Sequence, residues 1–205
     1  MTLDEYLVFE EESPIRHEYV AGEVYAMSGP TTRHNTISLN VHRHLHAPAR
    51  RSGCRVFVEA IKLHVLDRVY YPDVMIACGS AAEVELIVDE PSLVAEVTSP
   101  STRATDRREK LDAYMRVASL RLYLIVDQRR KNVIVYSRDR AGEWLRDEID
   151  GDGAVEIPFL ETSIALSEIY EDVKLPPLRV REGEDWDADE WVEIECEPNA
   201  PPPLA

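Results

Sequence analysis

Cysteine is scarce in this chain: Cys54, Cys78 and Cys196 are the only three in 205 residues, and no two stand in CxxC spacing. That excludes a disulfide-framed secreted scaffold and a four-cysteine zinc site, and it reads as separate thiols in a reducing cytoplasm. No apolar run approaches the ~20 residues of a membrane helix, so no membrane partner is expected. The opening MTLDEYLVFEEE is acidic where a signal peptide is basic. Glycine-rich phosphate loops and a serine, histidine and acid order are absent as well, which removes nucleotide-binding and triad-hydrolase readings.

Basic charge is also in deficit. Lys and Arg number 23 against 39 Asp and Glu, a net of −16, and such a balance works against phosphate binding. The deficit is uneven, however. Residues 181–205 hold nine acids and one arginine, net −8 and half of the total. Elsewhere the bases cluster at Arg50, Arg51 and Arg55, at Arg103, Arg107, Arg108 and Lys110, and at Arg129, Arg130 and Lys131. Local basic patches on an acidic average leave nucleic-acid binding open.

What is present is a dense series of elements between residues 1 and 175. Thr2 and Glu5 form a capping box for a helix to about Glu11, with Leu3, Tyr6 and Leu7 inward. Ile15 to Val20 and Glu23 to Met27 flank Ala21-Gly22, a two-residue hairpin turn. Thr31 or Thr32 caps a helix over 34–47 whose Ile37, Val41 and Leu45 recur on one face, ending at Pro48. Strands follow at 55–66, 70–78 and 93–97, then a helix at 106–117 and a strand at 121–126, a right-handed parallel crossover. A hairpin turning at Arg130-Lys131-Asn132, a strand Trp144 to Ile149 and a short helix Ile164 to Tyr170 complete the domain. Residues 176–205 form an acidic, proline-containing tail expected to be disordered. Such a tail is also able to mimic DNA over a basic groove.

The chemistry concentrates in two of those strands. Asp73, mid-strand after Pro72, and Glu96, in Leu93-Val94-Ala95-Glu96-Val97, each place a carboxylate in an apolar run. A carboxylate there is costly unless paired, hydrogen-bonded or metal-bound. On adjacent strands the two share a side and suit a hard divalent cation such as Mg²⁺, which keeps several waters and needs few carboxylates. The bland alternative makes Asp73 a turn residue after Pro72 and Glu96 an edge-strand charge. His42, His44 and His46 alternate, but on a helix they cannot share one face, so they read as surface residues.

The order is αβββαβ, and the residues that fill it carry a resemblance. Pro72-Asp73, Val94-Ala95-Glu96-Val97-Thr98-Ser99-Pro100-Ser101-Thr102, Asp106 with Glu109-Lys110-Leu111 and Tyr114, and Tyr123-Leu124-Ile125-Val126-Asp127 resemble the Uma-type family of restriction endonucleases, within the PD-(D/E)XK nuclease superfamily. His17-Glu18-Tyr19-Val20-Ala21-Gly22-Glu23 resembles that family's opening hairpin. The resemblance implies a restriction-endonuclease-like α/β (α+β) fold: an αβββαβ core on a mixed central sheet, an N-terminal helix-hairpin and C-terminal hairpin additions. It implies a metal-dependent DNA endonuclease using Mg²⁺ or Mn²⁺, with DNA as substrate and a homodimer as one possible assembly. Asp73, Glu96 and the Val97 backbone carbonyl would be metal ligands, with Glu18 as a weaker fourth. Where the superfamily carries a lysine two residues after the glutamate, this chain has Thr98, and Lys110 is the candidate migrated replacement. The bland reading of Lys110 is a solvated partner of Asp106. His34 and Tyr114 take supporting roles. The threonine also motivates an alternative: a catalytically inactive module of the same fold that binds nucleic acid or protein.

Overall fold

The computed structural model describes residues 1–79, 87–98 and 106–176, without the side chains of Asp106 and Arg107. Its main sheet has six strands in the order β11-β10-β9-β8-β6-β3. These are β3 (Cys54–Val58), β6 (Val74–Cys78), β8 (Pro91–Thr98), β9 (Leu122–Asp127), β10 (Asn132–Arg138) and β11 (Trp144–Asp150). Every pairing is antiparallel except β8 with β9. That one parallel step follows from the crossover helix, a π-helical turn Asp106–Lys110 running into α3 (Leu111–Met115). The restriction-endonuclease-like core therefore stands as read: α2 (Thr32–Arg51), three strands, the crossover helix and β9.

Strand alternation sorts the side chains into two cores. Leu93, Ala95 and Val97 of β8, with Leu122, Leu124 and Val126 of β9, pack on Ile37, Val41 and Leu45 of α2. Val94, Tyr123 and Ile125 face the other way, onto Ala113 and Tyr114 of α3 and onto a second sheet. That sheet, ordered β2-β1-β5-β4-β7, contains β1 (His17–Val20), β2 (Glu23–Ala26), β4 (Lys62–Val65), β5 (Arg68–Tyr70) and β7 (Ile87–Val88). Its β1–β2 turn is Ala21-Gly22, both with positive φ (48° and 97°), as two-residue hairpins require. Helix α1 (Leu3–Glu12) starts in the expected Thr2/Glu5 capping box and buries Tyr6 on Tyr19.

Several expectations are corrected. The run 55–66 is two strands in different sheets, because Glu59 takes a left-handed φ of 53° and turns the chain out of the main sheet. The run 70–78 is likewise β5 and β6, separated at Tyr71-Pro72-Asp73. Pro72 has no N–H for a ladder, so Asp73 sits one residue before β6, not mid-strand. Pro48 lies inside α2 and does not end it. The short helix expected at 164–170 is β13 (Thr162–Ala165) followed by α4 (Leu166–Ile169), and β13 pairs with β12 (Ala154–Ile157). The tail expected from 176 onward lies outside the described residues but for Pro176. No helix among the described residues is long and apolar enough to cross a membrane.

The cysteines are corrected too. The β3–β6 register sets Cys54 opposite Cys78, with Cα atoms 4.1 Å apart, and the two are joined as a disulfide. This removes the argument from free thiols to a reducing compartment. Closing a loop over a separation of 24 residues stabilises the fold by about 3 kcal/mol in the chain-entropy account. The unreduced protein should be two hydrogens lighter by intact mass than the reduced one, and Cys54→Ala/Cys78→Ala should lower its unfolding free energy by about that amount. Equal masses would dispose of the bond.

Candidate active site

One end of the main sheet opens into a cleft of about 1220 Å³, whose lining includes Glu18, His34, Glu59, Asp73, Glu96 and Lys110. Register explains the central pair. Val74 of β6 is opposite Ala95 of β8, so Asp73 and Glu96 are the next residues outward on adjoining strands. The Val97 N–H donates to Asp73 Oδ2 at 2.6 Å, which ties the loop after Pro72 to β8.

Glu96 is 5% exposed at its side chain and shares the face of Val94. Its Oε1 accepts from the Tyr114 hydroxyl at 2.9 Å and from Lys110 Nζ at 3.1 Å. Lys110 also stands 3.0 Å from Glu18 Oε1 of β1, an ion pair without hydrogen-bond direction, and lies over the Tyr70 ring. Lys110 is thus neither solvated nor on the surface: at 7% side-chain exposure it is inserted between two carboxylates. Helical spacing accounts for this, since residues four apart, Lys110 and Tyr114, lie on one face. Thr98 is buried with its hydroxyl donating to the Val126 carbonyl, so it faces its strand neighbour. Tyr114 stays protonated far above the ordinary phenol range, first because burial opposes the phenolate and then because Glu96 is beside it.

On the other side, the first turn of α2 reaches Asp73. Thr31 caps the helix through the His34 N–H and donates to Gln128 Oε1, and His34 Nε2 lies 2.8 Å from Asp73 Oδ1. Glu59 completes a third group, with one ligand-type atom each from His34, Glu59 and Asp73 within 4.8 Å of one another. Glu59 was invisible to sequence reasoning because its segment looks like uninterrupted strand. Its left-handed φ at the exit of β3 is what brings it here. Its backbone N–H meets the Pro72 and Asp73 carbonyls, and its own carbonyl accepts from Arg16. Its carboxylate Oε1 is buried and has no hydrogen-bond partner among the described residues. An orphaned carboxylate oxygen beside a second carboxylate and an imidazole is a donor set that fits a divalent cation.

The basic clusters divide. Arg129 is exposed and lines the cleft, whereas Arg130 pairs with Asp127 and Glu148. Arg50 and Arg51 lie at the far end of α2, roughly 25 Å from His34 at helical rise. The His42 and His46 rings meet tilted at 48° and His44 faces Glu168, away from the cleft as expected for surface residues. Arg103 falls outside the described residues.

Comparison with known proteins finds similarity over most of the chain. Residues 3–167 match the family model Uma2, described as "Putative restriction endonuclease". Two uncharacterized Synechocystis proteins are each 29% identical, one over 78% of this chain and 94% of its own, the other over 82% and 90%. A crystal structure from Anabaena variabilis, titled a "putative nuclease belonging to DUF820", superposes with a TM-score of 0.71 at 18% identity, covering 85% of this chain and 99% of that one.

The Tyr114 contact generates a pH prediction. A phenol whose folded pKa is raised stabilises the fold fully below its unfolded value near 10, and that stability is lost as pH climbs toward the folded value. In an absorbance titration, Tyr114 should ionise only as the protein unfolds in alkali. Tyr114→Phe should remove one tyrosine from that late-ionising class and cost about 1–3 kcal/mol at neutral pH, from the lost bond to Glu96. An unchanged late-ionising class would contradict this placement.

Proposed function

The chain belongs to the Uma2 family, and from that membership and the charges gathered in the cleft we propose that it is a metal-dependent DNA endonuclease hydrolysing phosphodiester bonds. The observation that carries the reading is the convergence of Asp73, Glu96 and Lys110 from three separate elements on one cleft. Asp73, Glu96 and the Val97 carbonyl are the proposed ligands of Mg²⁺ or Mn²⁺, with Glu18 as a flanking acid. A divalent ion held there supplies positive charge beside the scissile phosphate and lowers the pKa of a water.

The protein's own groups do the rest. Lys110 occupies the role that Thr98 cannot, presenting a charge-assisted donor to a phosphate oxygen or to the attacking water. Tyr114 and Lys110 together fix the Glu96 carboxylate, and the Val97 N–H fixes Asp73, so both ligands are held before substrate arrives. Arg129, exposed at the cleft, suits a backbone phosphate, a contact that positions DNA without reading sequence. We take 1–175 as the nuclease domain and 176–205 as its acidic appendage.

Incubation of plasmid and linear DNA with the protein and Mg²⁺ or Mn²⁺ tests the reading. Cleavage is expected, abolished by Asp73→Ala and reduced roughly 10²-fold or more by Lys110→Met. Cleavage that persists in Asp73→Ala would sink it. DNA binding without any cleavage under either ion would favour the inactive-module alternative.

A further inference from the structure

The cleft holds more ligand-type side chains than the proposed Asp73, Glu96 and Val97 set uses. His34 and Glu59 approach Asp73 from α2 and from the turn after β3. Resting on the nuclease reading above, we propose that His34 and Glu59 join Asp73 as ligands of the cleft's cation, and that the imidazole makes this a site for Mn²⁺ in preference to Mg²⁺.

Three observations carry this. First, the separations suit one ion. Adjacent ligand atoms around an octahedral ion at roughly 2.0–2.2 Å stand about 3 Å apart and opposite ones about 4.3 Å apart. His34 Nε2 and Asp73 Oδ1 are 2.8 Å apart, and the set with Glu59 lies within 4.8 Å. Second, Glu59 Oε1 is buried without a hydrogen-bond partner among the described residues, a costly state that a cation relieves. Third, the residue that carries this carboxylate holds a left-handed backbone and is locked by hydrogen bonds to Pro72 and Asp73. The turn that presents Glu59 is thereby fixed to the loop that presents Asp73.

Chemistry then selects the ion. Mg²⁺ is hard, prefers oxygen and dehydrates reluctantly. Imidazole nitrogen raises affinity for first-row transition ions, whereas carboxylates accept Mg²⁺ and Mn²⁺ alike. One imidazole among carboxylates therefore separates Mn²⁺ from Mg²⁺ without excluding either. The competing account makes His34 only a hydrogen-bond partner that orients Asp73; in that case removing it alters both ions equally.

Calorimetry on the full chain, titrated with Mn²⁺ and separately with Mg²⁺, distinguishes the two, with loss of the free Mn²⁺ resonance signal as a second count of bound ion. Wild type should bind Mn²⁺ at least tenfold more tightly than Mg²⁺. His34→Ala should bring that ratio close to one, chiefly by weakening Mn²⁺. Glu59→Gln should weaken both ions about tenfold while keeping the preference. Thermal melting of each variant without metal establishes that it is folded, and His34→Gln serves if His34→Ala is not. A ratio unchanged in the His34 variant, or affinities unchanged in Glu59→Gln, overturns the inference. The nuclease reading fails separately: His34-dependent Mn²⁺ preference without DNA cleavage removes that reading and leaves the ion site. Cleavage with a His34-independent ratio does the reverse.

Discussion

Lys110 is the piece on which the cleft depends, because one ammonium group joins two sheets. It stands between Glu96 of the main sheet and Glu18 of the second, 3.1 and 3.0 Å from their oxygens. Burying three charges is expensive, and removing one member of such a group leaves an uncompensated ion worth several kcal/mol. Tyr114 donating to Glu96 and the Tyr70 ring against the ammonium help offset that cost. Everything at this end of the molecule is placed relative to that contact: β1 brings Glu18, β8 brings Glu96, and the crossover helix brings the lysine.

The two sides of the cleft differ in character. Toward the second sheet Lys110 pairs with both carboxylates and Tyr114 donates to Glu96, so Glu96 enters any reaction already oriented. Toward α2 the groups are oxygen- and nitrogen-rich, with a buried carboxylate oxygen left over. Asp73 belongs to both sides, one oxygen bonded to the Val97 N–H and the other to His34. A single residue after a proline thus couples the strand register to the helix N-terminus.

Much of this was legible in the sequence where local pattern and long-range placement coincide. The apolar runs around Asp73 and Glu96 marked their carboxylates as costly unless partnered, and the Thr2/Glu5 box and Ala21-Gly22 turn formed as their chemistry dictates. Lys110 was legible as a candidate, but its burial between two acids was not, since nothing local says which face of a five-residue helix meets β1. Glu59 was missed because a left-handed non-glycine residue leaves no compositional trace. The Cys54–Cys78 bond was missed for a related reason: spacing along the chain says nothing of cross-strand register. The split of 55–66 between two sheets hid both.

The cleft is assembled from residues spread between Glu10 and Pro176, and this distance along the chain has a consequence for synthesis. The early helix and hairpin hold Glu18 but have nothing to place it against until β5 is made, and Glu96 lacks its lysine until the crossover helix has folded onto it. Long-range pairings of this kind form late. A chain still emerging from the ribosome therefore carries the acids of the cleft without the cleft, whose geometry comes into being only once the crossover helix has been made and has folded against β1 and β8.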